Sequence, residues 1–446
     1  MPDHHSASPE LVLRPQWLLV AGQLAEGMAL VIREGRISEV RPSKHPPNLP
    51  NRLLMPGFVN AHSHAFQRGI RGWVQCAHGD DNFWSWRDRM YRLANELDPD
   101  GIEAVSALAY LEMVQAGFTS VGEFHYLHHQ PNGLPYADRL ELAQRVANAA
   151  ECAGLRMVLL RVAYARAGAG RPPLSEQRRF CDSDMEQVLE DLESLVALGR
   201  FSVGLAAHSV RALSREHLEA LSSYKGVIHA HVDEQPAEVE QCISEYGCRP
   251  LELFADVGML GPSFSAVHFT HPSQDEIALL KKHQASVVAC PTTEMDLGDG
   301  FLPVEKLAGV SLSVGTDSHV RIDPLAELRA LEWHARARLG RRCVLTQSED
   351  PEALSRYLLS VGNQGGARAL DLCTGEVAVG QLADLIAVDL GDSACVTGPK
   401  LTNWVFSGRS SQVKEVWVGG RQVLWEGQHP QQDWIVQRAR SALSLP

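Results

Sequence analysis

No run of about twenty apolar residues, the length that crosses a bilayer, occurs anywhere in the sequence, so no transmembrane helix is expected. The opening "MPDHHSASPE" lacks a basic start followed by an apolar stretch, which predicts no signal peptide. The nine cysteines contain no C-x-x-C pair; they are odd in number and scattered from Cys76 to Cys395. That argues against a disulfide framework or a structural zinc cluster, and for a reducing, cytoplasmic setting. Positive charge is short as well: 41 Lys+Arg against 54 Asp+Glu leave a net charge of −13. This excludes an extended nucleic-acid surface, although not a locally basic pocket for an anionic ligand. Internal repeats and low-complexity tracts are also absent.

What is present suits a large globular protein: 446 residues, 45% hydrophobic and 21% charged. Short β-rich segments stand at both ends, "MALVIREGRISEVRP" early and "ADLIAVDL" and "KEVWVGGRQVLWEG" late, the last with a Gly-Gly hairpin turn. Neither end can bury its faces alone. They are therefore expected to pair into one small β domain, 1–55 with 375–446, around a central domain at 56–374. Within 56–374, eight near-continuous apolar runs alternate with helical stretches, as strands buried on both faces require. They are "LLMPGFVNAHSH", "TSVGEFHY", "RMVLLRVAY", "FSVGLAAHSV", "GVIHAHVDE", "FSAVHFTH", "SVVACPTTE" and "GVSLSVGTDSH". The fold class expected is α/β: a (β/α)8 TIM-type barrel with a small β-sandwich built from both termini.

Polar residues able to bind a metal gather at the C-terminal ends of these runs, where a barrel places its active site. His62 and His64 close the first, His208 the fourth, His229 and His231 the fifth, His268 the sixth and Asp317 the eighth. In a strand residues i and i+2 point the same way, so His62 and His64 share a face. With His231 and Asp317 they supply nitrogen and oxygen ligands that suit a catalytic zinc, and other divalent ions as well. A single such histidine is ordinarily a hydrogen-bonded core residue; His229, one pleat deeper than His231, is read that way. His271 reads as a loop residue. His4, His5, His128, His129, His217, His283, His334 and His429 read as surface or helix residues with no assigned role.

"PGFVNAHSH", "HAHVDE", "VHFTH" and "SVGTDSH", in that order, resemble the amidohydrolase superfamily of metal-dependent hydrolases, and the likeness extends over nearly the whole chain. The resemblance implies that His62, His64, His231 and Asp317 hold the metal, that Glu234 is the acid/base residue, and that His268 is the strand-six histidine beside the attacking oxygen. Asp317 would also accept the water proton. The lysine that bridges two metals in binuclear members is missing from "FSVGLAAHSV", so one metal is expected. Such an ion brings the pKa of water from 15.7 to about 7.

"AFQRG", "NFWSWRDRMY" and "HSVRAL", and Glu294 where purine-type deaminases usually carry Asn, resemble the iminohydrolases that act on N-formimino-L-glutamate in histidine degradation. That resemblance implies carboxylate binding by Arg87, Tyr126, His208 and Arg211, and contact of Gln67 with the formimino region. Arg87 is expected in a loop after the first strand, with Arg89 as its alternative, and Trp84 and Trp86 as loop walls. The partner implied is a small dicarboxylate, with no nucleic acid and no membrane; a homodimer is the common state of such barrels. The competing reading is a deaminase or hydrolase of another small C=N compound, of guanine or triazine type.

Overall fold

The computed structural model describes residues 10–75 and 83–443, with the backbone alone for residues 83–85. The N-terminal strands are β1 (Leu11–Leu13), β2 (Pro15–Val20), β3 (Gln23–Ala25), β4 (Met28–Arg33), β5 (Arg36–Pro42) and β6 (Leu49–Pro56). The barrel strands are β7 (Phe58–Ser63), β8 (Phe118–His125), β9 (Arg156–Ala163), β10 (Ser202–Ala207), β11 (Ile228–Val232), β12 (Phe264–His268), β13 (Ser286–Ala289) and β14 (Ser311–Val314). The late strands are β15 (Leu385–Asp389), β16 (Val413–Val418) and β17 (Arg421–Leu424).

Strands β7 to β14 lie side by side in sequence order in one parallel sheet, with helices between them. Every residue of β7, β8, β11, β12 and β13 is buried, which is why these segments read as unbroken apolar runs. The two edges meet where the amide of Asp317 donates to the carbonyl of His62 and that of His64 donates to the carbonyl of Asp317, both at 3.1 Å. The seam therefore closes at candidate ligand positions. Gly315 permits this approach, because a Cβ there would stand 2.6 Å from the Cβ of His62.

The first apolar run, read as one strand, is two. Gly57 separates β6, which pairs with β15 and β2 outside the barrel, from β7 inside it. Strands from both termini thus share the six-stranded sheet β17-β16-β15-β6-β2-β3, beside the three-stranded sheet β1-β4-β5. The Gly-Gly hairpin forms between β16 and β17, with φ of 54° and 73° at Gly419 and Gly420. Asp98 caps helix Pro99–Ala116, accepting from the amide of Gly101 at 2.7 Å, and Gly117 ends it with a φ of 95°. The Ser273 and Glu276 capping box also forms.

Three histidines read as surface or helix residues are in fact buried: His128, His129 and His429. His128 lies against Arg161 of β9, whose guanidinium, 2% exposed, pairs with Asp182 at 2.6 Å and Asp191 at 2.8 Å. These partners lie 21 and 30 residues away along the chain, so no local pattern announces them. His4, His5 and Cys76 lie outside the described residues. Arg161→Leu would leave Asp182 buried without its cation and Asp191 with Arg139 alone. We expect it to lower unfolding stability by about 3–5 kcal/mol, read from the urea midpoint; an unchanged midpoint would show that the network has no structural weight.

Candidate active site

Strands β7, β11, β12 and β14 bring polar side chains on or just after them to the same end. The Nε2 atoms of His62 and His64 are 3.1 Å apart, and that of His231 is 3.2 Å from His62. Asp317 Oδ1 lies 3.3 Å from His64 Nε2 and 3.5 Å from His62 Nε2. Burial is the main cause that holds His62 and His231 well below the ordinary imidazole pKa, and His64 down to about 3. All three rings are therefore neutral at pH 7. His64 Nδ1 faces the carbonyl of Phe124 at 3.0 Å, so its proton sits there and Nε2 presents a lone pair.

A neutral imidazole has one N–H, so His62 Nε2 cannot donate to both of its nitrogen neighbours. The cluster makes poor sense as a hydrogen-bond network and good sense as ligands around a cation. Four atoms about 2.0–2.1 Å from one point at tetrahedral angles would lie about 3.3 Å apart, which matches the observed spacing. Two overlapping triads, His62 with His64 and Asp317, and His62 with His231 and His268, can each hold an ion among the described residues.

His268 stands next to the donor set. Its Nε2 is 3.8 Å from Asp317 Oδ2 and 3.9 Å from Glu234 Oε1, and its Nδ1 is 3.4 Å from Glu294 Oε1. Burial opposes its charge, but the hydrogen bond to Glu294 and the charges of Glu234 and Asp317 override it and push the pKa up to about 10. Asp317, His268 and Asp233 each adopt a left-handed backbone conformation, with φ of 46°, 71° and 53°. Residues in this region cost free energy unless their surroundings fix them, and they concentrate at working sites.

Glu234 follows β11, buried at 6% exposure. Its amide donates to Glu238 at 3.0 Å and its carbonyl accepts from the Thr270 hydroxyl at 2.9 Å, so its backbone is pinned. Its carboxylate pairs with Arg211, which also lies 3.8 Å from Glu238. That ion pair was not foreseen, because the sequence reading gave Arg211 to substrate alone. Burial pushes Glu238 up to about 7, and burial with the charge of Glu234 pushes Asp299 up to about 9.

A cavity opens over these groups. His64, His231, Glu234, His268 and Asp317 line it, and so do Gln67, Arg87, Tyr126, His208 and Arg211. His62 lies behind, fully buried. Gln67 donates to the Tyr126 hydroxyl at 2.7 Å, while its Oε1 is buried without a partner. Arg87 is not in a loop: it stands on helix Phe83–Glu96. Arg89 points elsewhere and donates to the carbonyl of Trp73. Trp86 lines the cavity; the side chain of Trp84 lies outside the described residues. His229 is buried with Nε2 2.9 Å from the carbonyl of Ala369, away from the donor set.

Sequence reasoning missed the bracket that holds the His-x-His segment. Glu123 of β8 accepts from the Ser63 hydroxyl at 2.6 Å and from the amide of Ala65 at 2.8 Å. Ser63 also meets His319 at 3.1 Å, and His319 meets Thr316 at 3.0 Å. Burial raises Glu123 to about 7. A buried glutamate inside the run "TSVGEFHY" was the available signal.

Residues 53–423 match the sequence profile of the Amidohydrolase family. The chain is 37% identical to a formimidoylglutamate deiminase of Pseudomonas aeruginosa, over 91% of this chain and 94% of that one. A crystal structure of an amidohydrolase from Brucella melitensis superposes with a TM-score of 0.90 at 33% identity, covering 97% of this chain and 98% of that chain. An adenosine deaminase from Xanthomonas campestris with bound zinc shares the fold, with a TM-score of 0.80 at 24% identity and 97% of each chain covered. The chain thus belongs to the amidohydrolase family and is a hydrolase of C–N bonds.

Proposed function

We propose that the protein hydrolyses N-formimino-L-glutamate to N-formyl-L-glutamate and ammonia. One arrangement carries the reading: a single cavity lined by His64, His231, Asp317 and Glu234, with His62 behind them, that also presents two guanidiniums, His208 and Tyr126. The 37% identical relative, a formimidoylglutamate deiminase, supports the substrate. A divalent cation, zinc in this reading, held by His62, His64, His231 and Asp317 would supply a water whose pKa is about 7.

The protein's own groups then have the following work. Asp317 takes a proton from the attacking water through its carboxylate. His268, a donor through Nε2, stabilises the oxygen as it bonds to the formimino carbon. Glu234 passes two protons in turn to the imino nitrogen, the first from the attacking water and the second from the new hydroxyl on the carbon, so that this nitrogen becomes an amine and leaves as ammonia as its C–N bond breaks and C=O forms. Gln67 and Tyr126 contact the formimino region and the near carboxylate. Arg87, His208 and Arg211 bind carboxylate; the planar fork of arginine suits that group.

No helix among the described residues is long and apolar enough to cross a membrane. The proposal includes a cytoplasmic setting, consistent with eight free cysteines among the described residues.

Ammonia release from formiminoglutamate, beside guanine and a triazine, tests the substrate. Activity on the ring compounds alone would overturn it. Arg211→Ala is expected to raise KM for formiminoglutamate by about 10–100-fold, the size of a hydrogen bond to a charged group. Arg211→Lys should recover only part, since it restores charge without the fork. An unchanged kcat/KM in both would remove Arg211 from substrate binding.

A further inference from the structure

Tyr91 stands on helix Phe83–Glu96 one turn after Arg87, whose guanidinium lies 5.4 Å from the centre of its ring. Tyr164 follows β9 and meets His208 edge-on at 4.6 Å, and His208 meets His231 at 4.9 Å. Tyr164 is therefore one ring beyond His208 from the donor set. Both tyrosines line the cavity, and both are more than nine-tenths buried, at 4% and 7% exposure.

Gln177, 1% exposed, holds the two together from behind. Its Nε2 lies 2.9 Å from the Tyr91 hydroxyl and 2.8 Å from the Tyr164 hydroxyl. Its Oε1 accepts from the backbone amide of Leu174 at 2.9 Å. An N–H cannot accept, so this end of the amide must be oxygen, and both hydrogens sit on the other end. Each tyrosine hydroxyl therefore receives a hydrogen bond from Gln177 and keeps its own proton to give. Burial raises the Tyr164 hydroxyl well above its ordinary pKa, so that proton stays. Among the described residues neither hydroxyl proton goes to a carboxylate or a carbonyl. Should one hydroxyl donate to the other, a second proton still remains for the cavity.

We propose that Tyr91 and Tyr164, oriented by Gln177, donate hydrogen bonds to the substrate carboxylate farthest from the reacting carbon, beside Arg87. This rests on formiminoglutamate as substrate. Gln177 is a positioning residue: it touches no substrate and sets the direction in which the hydroxyls donate. A carboxylate accepts only, so it fits this wall, whereas a cationic or donor-bearing group in that place would leave the hydroxyl protons opposed.

The zinc-loaded full chain provides the test, with Tyr91→Phe, Tyr164→Phe, the double variant and Gln177→Glu. Calorimetry reads Kd for N-formyl-L-glutamate and for glutarate, a dicarboxylate with no reacting group; ammonia release reads kcat and KM. Each phenylalanine variant should weaken binding about tenfold. Gln177→Glu keeps the shape and accepts both hydroxyl protons, which turns them from the cavity, and it should weaken binding more than either single variant. KM should rise more than kcat falls, with zinc content and the melting temperature of the phenylalanine variants near wild type. Single variants that bind both ligands within twofold of wild type would overturn the proposal. A wild type that releases no ammonia from formiminoglutamate, yet loses glutarate binding in the variants, would instead overturn the substrate and leave the wall standing.

Discussion

Glu234→Gln is expected to lower kcat for ammonia release by about 10²–10⁴-fold while the protein keeps its zinc, because proton transfer by a positioned side chain contributes that much. Glutamine preserves the volume and can still accept from Arg211, and the backbone of residue 234 is held independently by Glu238 and Thr270. The substitution therefore keeps the shape of the site and removes the carboxylate charge, with its ion pair to Arg211 and its support of the His268 proton. The measurement is steady-state ammonia release together with zinc per chain after dialysis. Full turnover would mean that Asp317 or His268 carries the proton alone. Lost zinc would mean that Glu234 acts on the ligands and not on the substrate.

His231→Ala should abolish both activity and zinc-dependent stabilisation. Partners that merely orient zinc ligands contribute about 10–100-fold to metal affinity or activity, so loss of a ligand should exceed that. His231 is 5% exposed and its Nε2 is 3.2 Å from that of His62, so alanine takes one of the four donors out of the cluster and leaves a gap there. In wild type stripped with a chelator, zinc restored to 100 times its Kd should stabilise the fold by about 2.7 kcal/mol. The alanine variant should gain almost none of this at the same zinc concentration. Equal stabilisation in the two proteins would take His231 out of the donor set, whatever happens to activity.

How much of this was legible in the sequence depends on the range of the interaction. The eight barrel strands could be read because burial on both faces leaves an unbroken apolar run, and each run ends where polar groups begin. That His62, His64, His231 and Asp317 would meet could be read for the same reason, since strand ends fix their place without knowledge of any neighbour. Arg87 was placed on the right side of the barrel but in the wrong element. "NFWSWRDRMY" carries Phe83, Trp86 and Met90 at helical spacing, a signal that the loop reading passed over, and its helix is tied down by the distant Gln177 and by Asn95, which donates to the carbonyl of Glu176. Arg161 with Asp182 and Asp191, and Tyr91 with Gln177, were invisible, because each pair is joined only by the folded chain. His128 and His129 show the same limit. Two adjacent histidines near a Pro-Asn-Gly turn look solvated until the arginine at their back is known.

The sharing of one sheet by the two termini has a consequence for synthesis. β6 finds β15 only when residues near Leu385 have left the ribosome, hundreds of positions after β6 itself. Until then a nascent chain carries Leu53, Leu54 and Met55, all fully buried in the finished protein, with one strand edge open. Contacts of such sequence separation slow folding and leave a window for association between growing chains. Fragments that end before β15 should therefore be recovered as aggregates, even when every barrel strand and every candidate ligand is included.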